Sequence, residues 1–77
     1  MKLAHLRYFE HLSSVLSYTK AAKDLYIAQP TLSTAIKRME QELGFVLFRR
    51  SEGVASTVEL TEQGSIFSEY VSQALER

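Results

Sequence analysis

Between Gln29 and Gln41 the chain gathers residues of one chemical kind. Pro30, Thr34, Lys37 and Gln41 recur at intervals of four, three and four, so a helix would stack them along one side. Thr31, Ser33 and Arg38 flank that line, and its centre carries no acid. Small hydroxyl side chains permit close approach, amides hydrogen-bond to base edges, and cations meet phosphates. Gln29, at the start of the run, carries an amide able to bond an adenine edge through two hydrogen bonds. Together these are what a helix needs in order to lie in the major groove of duplex DNA. A solvated face of an ordinary amphipathic helix has the same pattern, and on the helical wheel alone the two readings stay level.

No other constellation competes for the role. With no cysteine, disulfides and Cys-based zinc or redox sites are excluded. His5 and His11 stand six apart and too isolated for a metal site, so both are expected at the surface. There is no Gly-rich phosphate loop and no convergent Ser/His/Asp set, so neither catalysis nor a cofactor or metal is expected. Tyr8, Tyr18, Tyr26 and Tyr70 are scattered over several elements, which favours packing and rim roles over base stacking.

Several elements must hold that polar face in place. On its reverse, Leu32, Ile36, Met39 and Leu43 fall within about 60° of one another on a helical wheel. Pro30 suits the first turn of this helix, where a missing N–H costs nothing, and Gly44 stops it. Ser17 is a plausible N-cap for a short helix before it, running through Ala21, Ala22 and Leu25. Tyr26-Ile27-Ala28 then makes a tight connection; two helices joined by so short a turn form a recognition scaffold. Leu3, Leu6, Phe9, Leu12 and Leu16 repeat with the period of a first helix.

After Gly44, Phe45-Val46-Leu47-Phe48 reads as one strand and Val58-Glu59-Leu60 as a second, with a mobile tip between Arg49 and Thr57. Thr61 is placed to cap a last helix with a broad apolar stripe of Ile66, Phe67, Tyr70, Val71, Ala74 and Leu75. The expected fold is therefore mainly α, a winged helix-turn-helix. It has a three-helix core, a small two-stranded β wing and a final helix. Residues 1–60 would form the binding domain.

Composition agrees with a single small domain: 77 residues, 45% hydrophobic and 23% charged. A core this size typically yields only ~3–5 kcal/mol of net stability. No apolar run approaches the ~20 residues of a membrane span, and Lys2, His5, Arg7 and Glu10 interrupt any signal-peptide core. The formal net charge is zero, yet its distribution is uneven: residues 20–50 carry +3 and residues 51–77 carry −4. A basic middle beside an acidic tail suggests two surfaces with different partners. The zero net charge leaves open a winged-helix module used for protein–protein assembly.

Several stretches resemble the N-terminal domain of LysR-type transcription regulators. Ser17-Tyr18-Thr19-Lys20-Ala21-Ala22-Lys23-Asp24-Leu25 looks like their second helix, and Ala28-Gln29-Pro30-Thr31-Leu32-Ser33 like the turn into their recognition helix. Ile36 to Gly44, Leu47-Phe48-Arg49-Arg50 and Leu60-Thr61-Glu62-Gln63-Gly64 follow in the family's order, so the resemblance covers essentially the whole chain. It implies base contacts from Gln29 and Pro30. Thr31, Ser33 and Thr34 would lie close to bases or phosphates, with Arg38 on the flank, and Thr19 and Lys37 would contact the backbone. Arg50 matches the arginine at the start of the family's wing, although an ion pair with Glu40 or Glu42 would also account for it.

The resemblance further implies a homodimer, or a tetramer in the full-length protein, bound to a double-stranded operator. Residues 61–77 would be the start of a dimerisation linker helix, whose stripe from Ile66 to Leu75 would pair with its counterpart, unless it folds back onto the first helix. A small-molecule effector would act only through a further C-terminal domain. The location implied is the bacterial cytoplasm, at the nucleoid, without membrane contact. Two departures stand out. Ala28 replaces a common serine, a lost cap of ~1 kcal/mol. The wing is longer than usual and carries Glu52 with no Lys or Arg beyond Arg50, so its tip is not expected to enter the minor groove in the usual way.

Overall fold

The computed structural model describes residues 1–53 and 56–76, with element order α1 (Leu3–Val15), α2 (Tyr18–Leu25), α3 (Gln29–Leu43), β1 (Phe48–Arg50), β2 (Val58–Leu60) and α4 (Glu62–Ala74). Val54 and Ala55, in the expected mobile tip, and Arg77, at the end of the expected linker, lie outside the described residues.

Local chemistry explains where each helix stops. α1 ends at Leu16, which takes a left-handed φ of 57° and returns its amide to the Leu12 carbonyl. Ser17 then caps α2, its hydroxyl accepting the Lys20 amide at 3.2 Å. α2 closes on Tyr26, again left-handed with φ of 59°. Non-glycine residues pay a steric cost in that region, and here the tight turns into the next helix impose it. α3 starts from Ala28 without any side-chain cap, with Pro30 in its first turn, and ends at Gly44 with φ of 83°. Thr61 caps α4 by accepting the Gly64 amide at 2.9 Å.

Phe9, Leu12, Ala21, Leu32, Ile36, Met39 and Leu47 form the centre of a core that α1, α2 and α3 share with the hairpin and α4. Phe9 is its hub: its ring lies 5.5 Å from that of Phe48 and 5.2 Å, edge-on, from that of Phe67. The two alanines of α2 are buried, as close helix crossing requires. Leu3, by contrast, is exposed, and Leu16 is the cap beyond α1 and only half-buried. The apolar repeat of the first helix therefore serves the core from Leu6 onward, with Leu16 packing against it from the cap position.

The first strand lies three residues later than the apolar run suggested. Phe45 to Leu47 is not strand; β1 is Phe48–Arg50, paired antiparallel with β2 in the register Phe48↔Leu60 and Arg50↔Val58. The reason is where the backbone finds partners. The Glu40 carboxylate accepts the Leu47 amide at 2.7 Å and the Phe48 amide at 3.4 Å, and the Thr61 hydroxyl donates to the Val46 carbonyl at 2.6 Å. Side chains thus do here what a ladder would have done. The hairpin is also tied to the start of α2, with the Tyr18 amide on the Ser56 carbonyl and the Val58 amide on the Leu16 carbonyl, both at 3.0 Å.

α4 passes closely over the residue before β1 at Gly64, where a Cβ would overlap the Leu47 carbonyl oxygen. Its apolar stripe divides in two. Val71 and Leu75 are buried in this domain's own core with Phe67 packed beside them, whereas Ile66, Tyr70 and Ala74 are exposed. Folding back onto α1 thus accounts for one row of the stripe, because Phe9 draws Phe67 inward. No helix among the described residues is long and apolar enough to cross a membrane.

Candidate nucleic-acid interface

The outward face of α3 is polar from end to end. Gln29, Pro30, Thr31, Thr34, Lys37 and Arg38 are exposed and Ser33 is half-buried. The face exists because Leu32, Ala35, Ile36 and Met39 take the opposite side into the core. The two helices of the turn meet at their starts, where the Thr19 hydroxyl donates to the Gln29 Oε1 at 3.4 Å. That contact holds the amide of Gln29 at the tip of α3 and beside the first turn of α2.

Two of the depressions beside α3 hold the residues singled out above. Gln29, Ser33 and Lys37, one side of the helix, share the first with Tyr18, Arg50 and Ser56. The α2–hairpin bonds described above set this groove, because they bring the wing base up against α3. Arg50 is exposed there, and Arg49 is engaged across the strands with Glu59 at 2.7 Å. Among the described residues no carboxylate lies within ion-pair distance of Lys37 or Arg38.

Thr31, Thr34 and Arg38 face the second depression, together with Pro30, and the opposite wall is α1. Lys2, His5 and Tyr8 form that wall. The polar run of α3 gives no sign of this wall, although the spacing of three in Lys2, His5 and Tyr8 already stacks them on one side of a helix. Tyr18, expected in a packing or rim role, lines the first depression. Burial, reinforced by the Glu40 carboxylate and opposed by Arg50, pushes its phenol up to about 12, so it stays a neutral hydrogen-bond donor at the edge of the groove. Glu40 could not be recognised from its neighbours, since its partners lie seven and eight residues away.

His11 is at the surface as expected, but on the far side of α2, where its Nε2 lies 2.8 Å from Asp24 Oδ2. That bond holds the Asp24 carboxyl below its usual range. The pair joins α1 to α2 and takes no part in the α3 face.

Comparison with known proteins gives one consistent answer. Residues 3–65 match the model of the bacterial regulatory helix-turn-helix proteins of the lysR family. The HTH-type transcriptional regulator BudR of Klebsiella aerogenes is 49% identical over 69 residues, covering 90% of this chain and 46% of its own length. CatR of Pseudomonas putida, another HTH-type transcriptional regulator, is 45% identical over 69 residues, covering 90% of this chain and 22% of its own length. The chain thus spans less than half the length of these relatives. Among solved structures, the BenM DNA-binding domain in complex with catB site 1 DNA superposes with a TM-score of 0.87 at 43% identity, over 97% of this chain and 77% of that one. A mainly helical winged helix-turn-helix, with its matched motifs in order from α1 into α4, places this chain in the LysR family of bacterial transcription regulators.

Proposed function

We propose that the chain binds double-stranded DNA with sequence preference, laying α3 in the major groove and Arg50 along the backbone. One observation carries the reading: a polar helix face with Gln29 at its tip and Lys37 and Arg38 clear of any described carboxylate. The BenM domain, solved on catB site 1 DNA, supports it by likeness. Gln29 and Pro30 would meet base edges, with Thr31, Ser33 and Thr34 close to bases or phosphates; Thr19, Lys37, Arg38 and Arg50 would hold the backbone. Phosphate contacts set the register and base contacts supply the preference.

Residues 1–60 would form the binding domain and 61–77 the first part of a linker, in a regulator that acts as a dimer. Two-fold pairing then sets the half-sites about one helical turn apart, ~34 Å. In the whole protein a separate sensor domain would take up a small effector. The protein would work in the bacterial cytoplasm at the nucleoid, regulating transcription without catalysing a reaction. Fluorescence anisotropy of a labelled mixed-sequence duplex at low salt tests the central claim. Binding that weakens linearly in log–log form as salt rises is expected; no binding at low salt would overturn it.

A further inference from the structure

A helix in the major groove has a row of phosphates on each side, across a groove ~12 Å wide. The wing base, through Arg50, faces only one of them. On the other side of α3 lies the depression walled by the first turns of α1, and its charge is one-sided: Lys2 and Arg38 line it beside the His5 ring, Thr31 and Thr34 add hydroxyls, and no acid does. Lys2 and Arg38 are exposed and, among the described residues, without a carboxylate partner. The His5 ring is unusual. Its Nδ1 is enclosed with no hydrogen-bond partner, leaving Nε2 as the nitrogen able to meet a ligand, while its ring centroid lies 6.0 Å from that of Tyr8.

The geometry points to a second phosphate clamp, in which Lys2 just before α1 and His5 in its first turn, with Arg38 of α3, grip the DNA strand opposite Arg50. The occupant is a phosphodiester of the duplex because the depression is continuous with the reading face. Pro30, Thr31 and Thr34 belong to both, so whatever α3 lies against must pass this wall. Charge selects the same ligand, since several donors and no acceptor carboxylate suit an anion. The inference rests on the DNA-binding reading above and adds α1 to it, so that α3 is held from both sides.

Anisotropy with the same mixed-sequence duplex, over a series of salt concentrations, separates the two. Lys2→Ala should weaken binding on every sequence and flatten the log–log salt slope by about one unit. His5→Gln added to it should weaken binding further. Ethylation interference should show loss of phosphate sensitivity on one strand in Lys2→Ala, with sensitivity on the strand facing Arg50 kept. Inorganic phosphate should compete only weakly; tight phosphate binding with no change in the DNA slope would mean a free-anion site and overturn the proposal. Wild-type binding with an unaltered slope and ethylation pattern in Lys2→Ala would also overturn it, while leaving the DNA-binding reading intact. Failure of the wild type to bind would defeat that reading instead. Circular dichroism of each variant guards against unfolding, and Lys2, which precedes α1 and makes no cap bond, is the safer substitution.

Discussion

Gln29 sits where sequence preference would arise, at the first position of α3 and in contact with Thr19. Replacing it by alanine should cost ~1–3 kcal/mol on a preferred site and almost nothing on random duplex. Parallel titrations on the two DNAs decide the matter; an equal loss on both would reduce Gln29 to a backbone contact. Tyr18 gives a second residue-scale test. Its folded-state phenol titrates at about 12 against an ordinary value of 10.0, so the folded form keeps a proton that the unfolded chain gives up earlier. The stability this represents is fully present below pH 10 and is lost as pH rises toward about 12. Tyr18→Phe should remove that alkaline loss. In ultraviolet titration of the tyrosinates, the slowest component should disappear from the variant. Both residues also show what could be read in advance. The exposed place of Gln29 at the start of α3 was legible because it follows from the period of one helix. Tyr18 was not, because its surroundings are Glu40 and Arg50 from elements far along the chain.

Among the elements, the helices were legible and the first strand was not, for a physical reason. A helix satisfies its own backbone, so periodicity, Ser17, Gly44 and Thr61 sufficed to bound α2, α3 and α4. A strand depends on partners the local sequence does not contain, and the β-prone Phe45 to Leu47 meets Glu40 and Thr61 instead. Gly64 marks the tightest such meeting. An added methyl there must displace the Leu47 backbone, which the Glu40 and Thr61 side chains hold from both sides. Gly64→Ala should therefore destabilise by ~1–3 kcal/mol, although the same change in an open helix would stabilise. Thermal melts of the variant give the sign. Ile36→Ala, deep in α3, should cost more, ~2–5 kcal/mol, enough to unfold much of a core this small. An unchanged melting temperature in that variant would contradict the packing of α3 against the core.

At the scale of the whole molecule, the question is what covers the remaining apolar row of α4. Counting the stripe from the sequence put six residues into a dimer seam. The fold leaves fewer, since Val71 is 2% exposed and Leu75 4%. Ile66 and Tyr70 remain 52% and 66% exposed and border an apolar depression with Phe45 and Phe67, while Val46 is exposed nearby. Fully covering a large apolar side chain is worth ~1.5–3 kcal/mol, so two half-covered ones and their neighbours hold enough to favour association. In a two-fold dimer the same row would meet its own copy. The partition of the stripe separates two substitutions that otherwise look alike. Val71→Glu would bury a charge in the core and unfold the domain, which tests nothing about association. Ile66→Glu changes an exposed position, so the melting temperature of the monomer should stay nearly constant, within ~0.5 kcal/mol. Its dimer dissociation constant should rise at least ~10-fold, the effect of ~1.4 kcal/mol, and tight binding to paired half-sites should fall with it. Sedimentation equilibrium over a range of concentrations reads the outcome directly. A wild-type chain that remains monomeric throughout, or an Ile66→Glu variant that associates as well as the parent, would remove α4 from the interface.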